Sequence, residues 1–182
     1  MKVFTQIDDA LIAVKQGKII AYPTEAVFGL GCDPFNQQAV EALLALKKRD
    51  ITKGMILIIN NWHQLDNLSQ PLSQQQHTQL TQHWPGPVTF LLPKSQHIPY
   101  WISGQHSKVA VRMTNHPIAK QLCQSTPLVS TSANISTLQP ALTHQQLREQ
   151  FSDGIAGIVE GKLGSQQQPS QIIDITTQQR LR

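Results

Sequence analysis

No apolar run in this chain approaches the roughly 20 residues needed to cross a bilayer; the longest, such as Met55–Ile59, are far shorter. The N-terminal stretch Met1–Lys15 lacks an apolar core followed by a small-residue cleavage site. Asp8 and Asp9 stand where an export signal would be apolar. A cytosolic location with no membrane association is the expectation. Cysteine is scarce: Cys32 and Cys123 lie far apart with no CxxC, which reads as two reduced thiols in or near a core. The seven histidines are scattered, none at HExxH or HxxxH spacing with a carboxylate partner, so no protein-bound metal is expected. There is no GxxxxGK[ST]. Gly29-Leu30-Gly31 begins like a dinucleotide fingerprint but lacks its third glycine. Without GxSxG or a placeable Cys–His pair, covalent nucleophilic catalysis is not indicated. Charged residues make up only 14% of the chain, yet 40% is apolar, which separates it from disordered sequences.

The 182 residues suit one domain, 1–182, with a substantial core. A formal charge of +4 leans weakly toward a polyanionic partner, a nucleotide or RNA. Ile7, Ala10, Leu11 and Val14 follow helical spacing, and Gly17 stops the helix. Lys18–Tyr22 reads as a buried strand, broken by Pro23-Thr24-Glu25. Asn36 can cap a helix with Val40, Leu43 and Leu44 on its apolar face, ending in Lys47, Lys48 and Arg49. Met55–Ile59, Val88–Leu92, Lys108–Met113, Leu128–Thr131, Gly157–Glu160 and Gln171–Ile175 read as strands. Helices are expected around Trp62–Leu68, over Ser73–Trp84, from Asn115-Pro117, and from Thr143 to Phe151. Gln166-Gln167-Gln168 reads as a loop. Strands alternating with helices argue an α/β fold.

Six local signatures stand in order. They are Tyr22-Pro23-Thr24-Glu25 with Phe28-Gly29-Leu30-Gly31; Lys47-x-Arg49; Trp84-Pro85-Gly86-Pro87-Val88-Thr89; Val109-Ala110-Val111-Arg112; Ser130-Thr131-Ser132-Ala133-Asn134; and Pro169-Ser170-Gln171-Ile172-Ile173-Asp174. Together they resemble the YrdC/TsaC family of threonylcarbamoyl-AMP synthases, over about Ala21 to Asp174. The resemblance implies a single-domain YrdC-like twisted mixed sheet with flanking helices and a concave, positively charged cleft. It implies a reaction of L-threonine, bicarbonate and ATP, with Mg²⁺, giving L-threonylcarbamoyl-AMP and pyrophosphate. The pathway proteins TsaD, TsaB and TsaE would then transfer the group to adenosine 37 of tRNAs reading ANN codons, and tRNA itself is a possible partner.

On that resemblance Lys47 and Arg49 are the expected catalytic residues, both on the ATP phosphates, one as a point charge and one as a planar fork. Residues i and i+2 point to different faces of a helix, so both reach one anion only if the helix ends between them. Ser132 and Asn134 are expected on phosphate oxygens or a magnesium-bound water, with Thr89 and Ser170 as further ATP contacts. Arg112 suits the threonine carboxylate. Thr24 suits the threonine side chain or the carbamate, and Thr131 could face either substrate. Tyr22 and Phe28 fit either cleft or core.

The chain departs from the family pattern at Asp50, where proline is common after the arginine. Such an acid must point away from the triphosphate or help hold the metal. It also has no histidine in Met55–Ile59, and it ends soon after Asp174 without the extra domain of longer synthases. A rival reading is a non-catalytic RNA-binding or ribosome-assembly protein using the same basic cleft, although no RNP1-like aromatic pattern or Arg-rich run is present. A carbamoyl-phosphate-using hydrogenase maturation domain shares the implied fold but normally accompanies zinc-finger cysteines, absent here.

Overall fold

The computed structural model describes residues 1–166 and 168–182. The loop expected at Gln166–Gln168 therefore falls partly outside the described residues, at Gln167. The strands are β1 (Lys2–Phe4), β2 (Ile20–Pro23), β3 (Phe28–Gly31), β4 (Ile56–Ile59), β5 (Val88–Pro93), β6 (Lys108–Met113), β7 (Leu128–Val129), β8 (Thr131–Ser132), β9 (Gly157–Val159) and β10 (Gln171–Asp174). The α-helices are α1 (Ile7–Lys15), α2 (Gln37–Lys47), α3 (Gln74–His83), α4 (Tyr100–Ser103), α5 (Pro117–Leu122) and α6 (His144–Gln150), with 3₁₀ turns at Ile51–Lys53 and Trp62–Asn67. None of these helices is long and apolar enough to cross a membrane among the described residues.

The strands form two mixed sheets rather than one. Their orders are β1-β9-β2-β3-β8 and β10-β5-β6-β4-β7. The central strands bury both faces, as their continuous apolar character predicts. In β2, Ile20 and Tyr22 join one apolar cluster while Ala21 joins the other; in β4, Ile58 parts from Leu57 and Ile59 in the same way. Val40, Leu43 and Leu44 of α2 cover the larger cluster, while α1 and α5 close the smaller. The expected strand Leu128–Thr131 is two strands in different sheets. β7 pairs with β4 and β8 with β3, and Ser130 between them donates its N–H to Ile56 O at 2.8 Å.

Two strands escaped the sequence reading. β1 is three residues long, too short for a period to show. β3 contains two glycines, which weaken strand propensity. Its glycines are there because Tyr22 on the paired strand occupies the space. A Cβ on Gly31 would lie 2.7 Å from Val129 O and 2.9 Å from the Tyr22 ring. Gly31→Ala therefore overpacks the seam between the sheets, and urea unfolding should show a loss of about 2 kcal/mol.

Candidate active site

The segments carrying the sequence motifs converge on one cavity of about 200 Å³, where the two sheets meet. Thr24–Gly29, the turn from β2 into β3, forms one wall. Met55 and Ile56 enter from the start of β4, Arg112 from β6, and Ser130–Ser132 from the crossing between sheets. Ser170, Pro169 and Arg182 close the far side, and Arg49 stands at the end of α2. The lining carries three guanidinium groups, Arg49, Arg112 and Arg182, against one carboxylate, Glu25.

Asn36 caps α2 through Ala39 N–H, and the helix ends at Lys47 because Lys48 takes the left-handed conformation, φ 50° and ψ 46°. The Lys48 and Arg49 amides return to Ala45 O and Leu44 O, satisfying carbonyls that a helix end leaves open. This break turns Arg49 into the cavity while Lys47 stays on the helix, buried at 3% exposure. Lys47 does not line the cavity. Its ammonium donates to Ser132 O, to Asn134 O at 2.6 Å and to Asn134 Oδ1 at 3.4 Å, so it clamps the Ser132–Asn134 loop from behind. Ser132 Oγ donates to Asn134 Oδ1 at 2.6 Å, and Asn134 Nδ2 reaches Ile135 O and Leu138 O. Asn134 thus shapes the loop, while Ser132 and Thr131 face the cavity.

Burial first, and the neighbouring Arg49 charge second, push Lys47 down to about 8. Burial also lowers Arg49, whose Nη2 donates to Gly54 O at 3.0 Å while its buried Nε has no partner. Asp50 does not approach the cavity. Its carboxylate caps the turn after it, accepting from Thr52 N–H at 2.8 Å and Thr52 Oγ1 at 2.7 Å.

Arg112 is 8% exposed, and its Nη1 lies 3.3 Å from Glu25 Oε2. The other Glu25 oxygen accepts from Thr114 Oγ1 at 2.7 Å and Asn115 N–H at 3.1 Å. Burial alone would raise the Glu25 carboxyl. The Arg112 charge and these hydrogen bonds outweigh it and hold the group below the usual carboxylate range. Thr24 Oγ1 is engaged by Val27 O at 2.7 Å, which tightens the turn. Thr89 is fully buried behind the wall, meeting the cavity only through a 2.9 Å contact with Ser170 Oγ. Tyr22 belongs to the core, whereas Phe28 serves core and cavity.

Sequence reasoning assigned no role to Glu25 or Arg182. Arg182 holds Ser170 through its O at 3.1 Å and Oγ at 3.4 Å; burial and the Arg112 charge lower it. Glu25 sits inside the Tyr22-Pro23-Thr24-Glu25 motif, an acid in the break after a strand, which is the one local signal it offered; Arg182 offered none. A second cavity of about 500 Å³ shares Arg49, Met55, Ile56 and Arg182 with the first and adds Lys53, Lys108 and Asp174. Lys108 and Asp174 pair with each other. Among the described residues, no three metal-binding side chains gather.

The Sua5/YciO/YrdC family model, described as "Telomere recombination", matches residues 12–182. A Marinobacter nauticus protein named threonylcarbamoyl-AMP synthase is 48% identical, covering 98% of this chain and 96% of its own length. A Coxiella burnetii protein of the same name is 47% identical with 98% of each chain covered. The crystal structure of P. abyssi Sua5 complexed with L-threonine superposes with a TM-score of 0.90 at 31% identity, covering 97% of this chain. This chain spans 55% of that one.

Proposed function

The chain belongs to the Sua5/YciO/YrdC family, and from that premise we propose that it joins L-threonine, bicarbonate and ATP into L-threonylcarbamoyladenylate and pyrophosphate. The product supplies the N6-threonylcarbamoyl group of adenosine 37 in tRNAs reading ANN codons. The observation that carries this reading is the single cavity to which Thr24, Arg49, Arg112, Thr131, Ser132 and Ser170 all contribute.

Arg112 takes the threonine carboxylate, because its buried Nε donor lacks a partner and a carboxylate answers a planar fork. Thr24 and Thr131 border the same space and orient the rest of the amino acid. Arg49, Ser132 and Ser170 face the phosphates. The adjoining cavity with Lys53 and Lys108 offers room for the nucleotide, since it shares the Arg49 wall. Lys47 acts through the loop it clamps and through its charge. The threonine amine and bicarbonate give a carbamate with loss of water, one carbamate oxygen bonds to the α-phosphorus, and the bond to pyrophosphate breaks. Positioning of the two reactants carries the rate, and no covalent enzyme intermediate is needed. The hydroxyls of Ser132 and Thr131, with no carboxylate cage, suit a Mg²⁺ ion that arrives on the triphosphate and neutralises its charge. The whole chain, 1–182, acts as one catalytic domain in the cytoplasm, and TsaD, TsaB and TsaE with tRNA consume the product.

The decisive test incubates the protein with ATP, bicarbonate and each of the twenty amino acids. Pyrophosphate release with threonine alone is expected; release indifferent to the amino acid would overturn the reading, and salt-sensitive RNA retention without turnover would favour the RNA-binding alternative.

The depressed Lys47 adds a pH dependence. Below about 8 the ammonium is charged in the folded chain, whereas an ordinary lysine stays charged to about 10.4. Turnover should fall as pH rises through about 8. Bound triphosphate favours the charged form, so calorimetry at pH 8 in buffers of different ionisation enthalpy should show proton uptake that Lys47→Met abolishes. Between the folded and unfolded values the unfolded chain holds the extra proton, so this group's contribution to stability rises with pH across that window.

A further inference from the structure

We infer that Glu25 is a positioning residue that fixes the Arg112 guanidinium by one edge and thereby sets the orientation in which the other edge meets the substrate carboxylate. The inference rests on the reading of Arg112 as the carboxylate clamp. Glu25 Oε2 stands 3.3 Å from Nη1 of Arg112 as a charge pair, without hydrogen-bond geometry, and both Oε2 and Arg112 Nε are buried with no hydrogen-bond partner. The carboxylate thus takes the end of the fork and leaves the Nε edge uncommitted.

Glu25 is itself held from three sides. Thr114 Oγ1 and the Asn115 N–H grip Oε1, and both lie just beyond the strand that carries Arg112. The Glu25 carbonyl accepts from Gln166 N–H at 2.9 Å, and the neighbouring Thr24 carbonyl from Gly164 N–H at 2.9 Å. A Cβ on Gly164 would lie 2.7 Å from Glu25 O, so only glycine lets that segment seat so closely. The acid cannot drift, so the negative charge that attracts the Nη1 end of Arg112 stays in one place and favours one orientation of the guanidinium. An arginine left unpaired in the same place would carry the same charge without a defined edge, and carboxylate binding would lose its bidentate geometry.

The test is Glu25→Gln, read in two ways. In ligand-free ¹⁵N-labelled protein, separate Nη1 and Nη2 resonances of Arg112, assigned by their loss in Arg112→Lys, are expected in the parent and should coalesce in Glu25→Gln. In steady-state assays the KM for threonine should rise about 100-fold, as for an ångström-scale misplacement of a binding group, with the KM for ATP unchanged. If Glu25→Gln does not fold, Thr114→Val loosens the same carboxylate, and a smaller change in the same direction is expected in both readouts. Resolved Nη resonances in Glu25→Gln, parental line shapes in Thr114→Val, or threonine and ATP constants moving together, would overturn the inference. Coalescence in a protein that shows no threonine-dependent turnover would instead remove the proposed reaction and leave the positioning role standing.

Discussion

Arg112→Met should lower threonine-dependent pyrophosphate release about 1,000-fold, the scale seen when a preorganised charged donor leaves an active site. Two effects combine, and they can be separated. The first is loss of the carboxylate clamp. The second is structural: Glu25 and Arg112 are both nearly buried, and breaking such a pair from one side costs about 3–5 kcal/mol because the remaining charge has no partner. The double variant Arg112→Met/Glu25→Gln removes the stranded carboxylate. It should recover most of the unfolding free energy while activity stays at the level of the single variant. Arg112→Lys keeps the charge but not the fork, and should fall between parent and Arg112→Met in activity. Parallel urea unfolding and pyrophosphate assays on the three proteins check all of these outcomes. Recovery of activity in the double variant would show that Arg112 serves only the fold.

Lys47→Met should raise the KM for ATP and lower turnover by about 100-fold or more. The side chain keeps its apolar stem but deprives Ser132 O, Asn134 O and Asn134 Oδ1 of their shared donor. Ser132 O keeps the Asn134 N–H and Asn134 Oδ1 keeps the Ser132 hydroxyl, so the part-buried Asn134 O bears most of the loss, about 1–3 kcal/mol, and the loop that presents Ser132 loses its shape as well as its nearby charge. Lys47→Arg should not restore activity, because a planar guanidinium cannot direct its donors at three oxygens grouped about one point. Lys48→Met is the internal control: the neighbouring lysine is exposed and touches none of these groups, so parental activity is expected. Isothermal titration with a non-hydrolysable ATP analogue separates affinity from turnover.

Much of the local structure was legible beforehand. The helices α1, α2, α3 and α6 follow apolar spacing and caps, and Asn36 and Thr143 do accept the amide hydrogen bonds their positions suggested. The requirement that α2 end between Lys47 and Arg49 also followed from helix geometry, and Lys48 meets it with a left-handed turn. What escaped was everything set at long range. The division into two sheets depends on Ser130, whose neighbours join strands from opposite sheets, and no period in four residues reports that. The retreat of Lys47 behind its loop, the burial of Thr89, and the arrival of Arg182 at Ser170 all depend on partners distant in the chain.

Residue types and their order along the chain determined most of the elements, the family and the set of side chains available for chemistry, because propensity, capping and apolar spacing act over a few residues. Only the tertiary structure decided which of those side chains share a cavity and which support it from behind. The physical reason is burial. Glu25 lies 89 residues from Thr114 and Lys47 lies 87 from Asn134, and a buried charge must find partners wherever packing brings them. Those partners then set both its protonation and its role.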